Sequence, residues 1–166
     1  MLVALSDTHA TTTPRLTDHL QGTLDRAAVV VHAGDFTTAA VLDAFEARVD
    51  LRGVYGNSDE RKVCARLPET RTVEWAERRV VLVHGHRHDW TSLSLLARQE
   101  AADAVVMGHT HRPGIERRDG AVAVNPGSHA DPRGRHATYA LFERTESGVV
   151  GQIRTVDGQP LETVEL

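Results

Sequence analysis

Met1-Leu2-Val3-Ala4-Leu5-Ser6-Asp7-Thr8-His9 opens the chain with five apolar residues and then four polar ones, two of which can ligate a metal. A short unbroken apolar run reads as a strand buried on both faces. The same figure returns at 28–32, where three valines run into His32-Ala33-Gly34-Asp35, and at 51–55, which runs into Gly56-Asn57-Ser58-Asp59. Amphipathic stretches separate these runs. After Pro14, the residues Leu16, Leu20 and Leu24 recur every four positions, which predicts a helix from Arg15 to Arg26. Thr37 or Thr38 can cap a second helix reaching Arg48, with Val41, Leu42 and Phe45 inward. This βαβαβ order favours a largely parallel sheet with helices packed on it.

The second half changes character. Strand-like runs at 71–75 and 79–84 flank Ala76-Glu77-Arg78, a hairpin connection. A helix is expected from Thr91 to Ala102 and a strand at 104–107. Further strands are expected at 114–118, 121–125, 137–143, 149–155 and 162–166, with Asp119-Gly120 as a two-residue turn. The chain has 166 residues, 40% of them apolar and 25% charged, the composition of a single globular domain over 1–166. No apolar run exceeds five residues, so neither a bilayer span nor a signal-peptide core is expected, and the expected location is cytoplasmic. One cysteine, Cys64, excludes a disulfide framework and a Cys-rich zinc site. A net charge of −4 with mixed signs announces no polyanion-binding face. One oddity asks for a chemical reason: of ten histidines, six fall between His84 and His129.

That reason lies at the strand ends. Asp7-Thr8-His9, Gly34-Asp35 and Gly56-Asn57 follow the first three strands. His84-Gly85-His86 and Gly108-His109-Thr110-His111 follow two later ones. In open α/β sheets the carboxyl ends of parallel strands form the ligand-binding edge, so these tips converge if the strands are neighbours. Carboxylate, imidazole and one amide, without thiolate, suit borderline divalent metals. In Asp7-x-His9 and His109-x-His111, alternate residues of an extended segment face the same way. Taken singly, each motif has a bland reading as a turn or a hydrogen-bonded histidine; five in order, each after a strand, do not.

The ordered set D-x-H, G-D, G-N, an isolated His in a G-H context and G-H-x-H resembles the calcineurin-like metallophosphoesterase superfamily. The His-Gly-His and Asn125-Pro126-Gly127-Ser128 look most like its small prokaryotic, YfcE-like phosphodiesterase branch. The resemblance covers about residues 1–145. It implies an α/β fold, a four-layer α/β/β/α sandwich of two mixed sheets with a metal site at one edge. It further implies two divalent ions per chain. Asp7, His9, Asp35 and His111 would hold the first; Asp35, Asn57, His84 and His109 would hold the second, with Asp35 bridging. Manganese is the first expectation, with nickel, iron, cobalt and zinc as alternatives. The implied reaction is in-line attack of a hydroxide bridging the two ions on a small phosphodiester. Asp35, Asn57 and His86 are the expected catalytic residues.

One departure matters. Many larger relatives carry a histidine after the G-N, near the leaving group; here Ser58 stands there, and a serine hydroxyl is too weak an acid to replace it. His86 is the remaining candidate near the phosphate, and Asp59 is expected to orient neighbours or cap the next helix. Recognition is expected from the loops 10–13, 36–38 and 87–90. No membrane partner is expected. Nucleic acid is allowed by the larger relatives but not indicated by this acidic chain, and a homodimer is the analogous assembly. The alternative function is a non-catalytic scaffold of the same fold, as in the eukaryotic retromer subunit; a complete set of seven ligands speaks for the enzyme.

Overall fold

The computed structural model describes residues 1–118 and 120–166. The expected turn at Asp119-Gly120 includes Asp119, which lies outside the described residues. Three parallel strands, β1 (Leu2–Leu5), β2 (Val29–His32) and β3 (Leu51–Gly53), form one half of the first sheet. Strands β9 (Thr138–Thr145), β10 (Gly148–Thr155) and β11 (Pro160–Glu165) extend it antiparallel beyond β1, in the order β11-β10-β9-β1-β2-β3. The second sheet has the order β4-β5-β6-β8-β7. Its members are β4 (Thr70–Trp75), β5 (Arg78–Val83), β6 (Ala104–Val106), β7 (Gly114–Arg118) and β8 (Ala121–Asn125). Strands β5, β6 and β8 run parallel. Both sheets are therefore mixed.

Alternation along the strands sorts the side chains into layers. Leu2, Ala4, Val29 and Val31 face Val80, Leu82, Val106 and Val124 across the gap between the sheets. Val3, Leu5 and Val30 face the other way, onto Leu20 and Leu24 of α1 (Asp18–Asp25) and Val41, Leu42 and Phe45 of α2 (Ala39–Glu46). Val81, Val83 and Val105 pack under Leu93 and Ala97 of α4 (Trp90–Gln99). The result is helix, sheet, sheet, helix. Each fully buried Val, Leu or Phe contributes roughly 1.5–3 kcal/mol, so these three apolar layers hold the sandwich together.

The differences from expectation have local causes. Helix α1 begins at Asp18, three residues late, because Arg15 is left-handed (φ 53) and the Thr17 side chain caps the helix by accepting from Leu20 N–H. Strand β3 stops at Gly53: Val54 N–H still donates to His32 O as the last rung of the ladder, but Tyr55 N–H turns away to Pro68 O. A one-turn helix, α3 (Arg61–Cys64), follows Asp59, but its N-cap is Glu60, which makes no side-chain cap. The β4–β5 turn uses Ala76 and Glu77, both with positive φ (50 and 61), the twist a two-residue hairpin needs. No helix among the described residues is long and apolar enough to cross a membrane.

Two histidines are core residues. His32 is fully buried and stacks on Phe36 at 3.7 Å. Its Nδ1 accepts from Gly34 N–H, which leaves Nε2–H to donate to Thr8 Oγ1, so the ring is neutral. His129 is 5% exposed, meets Phe45 edge-on, and donates Nε2–H to Pro14 O. Burial pushes its pKa down to about 4. The unfolded chain, with an ordinary histidine pKa, takes up this proton first. Stability is therefore full above about pH 6.5 and is lost as pH falls toward 4. His129 alone should remove about 3 kcal/mol across that window. Urea unfolding of wild type and His129→Gln at pH 7 and pH 4.5 checks this: the variant should lose clearly less stability on acidification.

Candidate metal centre

All the strand-end motifs reach one edge, because β1, β2, β3, β5 and β6 deliver their carboxyl ends there. Hydrogen bonds tie the tips to one another. Asp7 N–H donates to Gly34 O, His9 N–H to Asp35 O, and Gly108 N–H to His84 O. Across the sheets, His109 N–H donates to both oxygens of Asp7 (3.1 and 3.0 Å) and Ser6 Oγ donates to Gly127 O.

The ring tautomers can be assigned. His84 Nδ1 lies 2.7 Å from Ala33 O, and His111 Nδ1 2.5 Å from Asp131 O. A carbonyl only accepts, so both Nδ1 atoms carry the hydrogen, and in each neutral ring Nε2 presents a lone pair. Those lone pairs face carboxylate oxygens: His84 Nε2 is 3.3 Å from Asp35 Oδ2, and His111 Nε2 is 3.5 Å from Asp7 Oδ1. His9 Nε2 is 3.2 Å from the same Asp35 Oδ2, buried, and without a well-formed hydrogen bond. Such facing donor atoms are satisfied by a positive charge between them, a divalent cation or, in its absence, protons on the rings. A backbone carbonyl on the far nitrogen is also what metal-bound histidines carry. The donor set therefore fits divalent metal.

Two groups have donor atoms all within 4.8 Å of one another, Asp7–His9–His111 and Asp7–Asp35–His84. Asp7 belongs to both. Asp35 spans them differently, through the single oxygen that faces His9 and His84, while its Oδ1 accepts from Ser58 N–H at 2.8 Å. Asn57 is exposed and puts Oδ1 3.1 Å from His84 Nε2. His109 lies outside the two compact groups, with its ring centroid 5.3 Å from that of His84. His86 stands at the rim, 5.4 Å from the His84 ring and 6.2 Å from the His109 ring. Burial would raise the Asp35 pKa, but His84 and His9 hold it far below the usual carboxylate range. Burial dominates at Asp7 and raises it despite His84 and His111.

The backbone is strained here. Asp7 (φ 53), His9 (42), Asp35 (61), His109 (69) and His111 (55) are all left-handed, which only a tightly determined surrounding sustains in non-glycine residues. Asp59 supplies much of that determination. Its carboxylate accepts from Asp35, Thr37 and Gly56 N–H at 3.0, 2.7 and 2.8 Å. Of the two expected roles for Asp59, orientation is the one observed. Sequence reasoning missed the weight of Ser128, whose Oγ donates to Asp7 O at 2.6 Å; the tight turn at 125–128 was the available signal. The expected recognition loop at 36–38 is not free, since Phe36 is fully buried and Thr37 is bridged to Ala10.

Similarity to known proteins names the family. The chain belongs to the calcineurin-like phosphoesterase superfamily, whose family model matches residues 1–147. A probable metallophosphoesterase from Methanothermobacter thermautotrophicus is 36% identical over 108 residues, 63% of this chain and 62% of that protein. A phosphodiesterase from Methanocaldococcus jannaschii is 26% identical over 110 residues, 59% of this chain and 65% of its own length. The chain thus spans less than two thirds of these curated relatives. A Streptococcus pneumoniae protein described as a predicted phosphoesterase superposes with TM-score 0.77 and 25% identity, covering 99% of this chain and 97% of its own. Zinc-complexed Vps29 from Entamoeba histolytica gives TM-score 0.78 at 23% identity, covering 99% and 98%, a likeness of fold.

Gly56 lets Asp35 approach: a Cβ there would stand 2.1 Å from Asp35 Oδ1 and 2.7 Å from its backbone nitrogen. Gly56→Ala should therefore displace Asp35 and weaken metal binding at least about tenfold, at a stability cost of roughly 1–3 kcal/mol. Calorimetric manganese titration beside a thermal unfolding curve checks this; unchanged metal affinity would show that Asp35 is not held by this contact.

Proposed function

We propose that the protein is a metal-dependent phosphodiesterase acting on a small phosphodiester at a centre of two divalent ions, manganese first. The observation that carries this reading is Asp35 Oδ2 lying between the Nε2 atoms of His9 and His84, a position from which one carboxylate oxygen can serve two cations. Asp7, His9, Asp35 and His111 would hold one ion; Asp35, Asn57, His84 and His109 the other. When bound, such ions supply Lewis acidity toward a phosphoryl oxygen and activate water near neutral pH.

The chain's own residues do the rest. Ala33 O and Asp131 O keep His84 and His111 in the tautomer that turns a lone pair inward. Asp59 holds the backbone of Asp35, so the carboxylate is placed before substrate arrives. His86, half-buried at the rim and held mainly neutral by burial, is the side chain best placed to hydrogen-bond the phosphoryl group. Ser58 is occupied at its backbone by Asp35 and offers no acid for the leaving group. A complete set of seven ligand residues speaks against the scaffold alternative.

Two outcomes are expected. Metal-stripped protein reloaded with manganese should bind two ions per chain; saturation at one would remove the dinuclear assignment. Asp35→Asn should keep the fold by far-UV circular dichroism and lose at least about a hundredfold of diesterase activity at saturating metal, about 2.7 kcal/mol of transition-state stabilisation. Near-normal turnover by the folded variant would refute the bridging role.

A further inference from the structure

Asn125-Pro126-Gly127-Ser128 ends β8 in a tight turn that lies between the two sheets. Asn125 Oδ1 accepts from Gly127 N–H at 2.9 Å, which folds the turn onto itself. Gly127 is left-handed (φ 70), and a Cβ there would stand 2.3 Å from Thr138 Oγ1, so the turn presses against the first residue of β9. Thr138 Oγ1 donates to Pro126 O at 2.8 Å, and Thr138 N–H donates to Ser128 O at 3.1 Å. Ser6 Oγ adds a bond to Gly127 O at 2.8 Å. A turn that ends a strand of the second sheet is thereby anchored on the first.

Ser128 makes use of this anchorage. Its side chain is fully buried, and a hydroxyl has one hydrogen and two lone pairs to place. The hydrogen goes to Asp7 O at 2.6 Å; the lone pairs accept from Asp131 N–H at 2.7 Å and Ala130 N–H at 3.2 Å. That capacity is full, which leaves the hydroxyl no role as a nucleophile. Two of the three bonds lead to ligand residues. Asp7 is left-handed, and its N–H already donates to Gly34 O, so the bond from Ser128 clamps the other end of the residue that carries the carboxylate. Asp131, held through its N–H, presents its carbonyl to His111 Nδ1–H at 2.5 Å, the bond that turns His111 Nε2 inward. Asp35 and His84 rest on other partners, Asp59 and Ser58 N–H for the one and Ala33 O for the other.

We propose that Ser128 is a positioning residue for the first of the two ions: one buried hydroxyl sets the Asp7 backbone and, through Asp131, the ring of His111. This rests on the two-ion reading above and adds to it that the two sites are loosened separately.

Zinc is diamagnetic, so its titration into metal-stripped protein with isotope-labelled histidine lets His111 Nε2 and His84 Nε2 each report its own ion by nuclear magnetic resonance. At about pH 8 unbound histidine is neutral. In Ser128→Ala, His111 Nε2 should need at least about tenfold more zinc to respond, and His84 Nε2 the same zinc within about twofold. Before zinc is added, the variant should lose the single Nδ1–H tautomer of His111 and keep that of His84. Thr138→Val removes the neighbouring bond to Pro126 O; it should lower thermal stability and move neither nitrogen. Ser128→Cys keeps a weak donor and should give the same one-sided shift in smaller measure, which decides the matter if Ser128→Ala does not fold. Equal weakening at both rings, no change at either, or the same pattern in Thr138→Val would overturn the proposal. If wild type takes up only one zinc ion, the two-ion reading fails by itself, and the metal-free tautomers decide: loss at His111 alone supports the positioning role of Ser128, and an unchanged His111 tautomer overturns it.

Discussion

Carboxylate oxygens and imidazole Nε2 atoms meet at 3.2–3.5 Å where the two sheets end, with Asp7, Asp35, His84 and His111 buried. That crowding is the constraint on which the rest depends. With the rings neutral and no cation between them it is repulsive, and with a divalent cation it becomes a ligand cage. The neighbouring features read as devices for keeping the acceptors in place. Carbonyls of Ala33 and Asp131 fix the rings, Asp59 fixes the Asp35 backbone, and Gly56 gives Asp35 room.

Such a site cannot hold itself together. Each left-handed non-glycine residue costs on the order of 1–3 kcal/mol, and the strand tips bury little apolar surface of their own. The stabilisation comes from elsewhere, from the apolar layer between the sheets and the two layers under the helices. Parallel strands suit this division of labour. Their bodies are apolar on both faces and their carboxyl ends open onto one edge, so stability and chemistry occupy different parts of the same strand.

The metal edge draws on both sheets, whereas a cavity of about 520 Å³ lies on the second sheet beside α4. Ala123 of β8 lines it, and its neighbours along the strand, Val122 and Val124, remain core.

The chain alone determined the strand bodies, helices α1, α2 and α4 in outline, and the identity and order of the polar tips. These are local properties: an unbroken valine run, a leucine every fourth residue, and Asp or His directly after a strand are visible within ten residues. The family order of motifs made the four layers and the metal edge legible as well. Tertiary structure decided the remainder. His84 and Ala33 are 51 residues apart, Ser128 and Asp7 121 apart, so no window of sequence contains the hydrogen bonds that set the His84 tautomer and tie down the Asp7 backbone. Whether Asp59 would cap a helix or hold Asp35 depended on where three amides from two other segments came to lie. The cavity beside α4 was equally invisible, because its walls, Trp90 and Leu93, Met107 and Ala123, come from segments far apart in the chain.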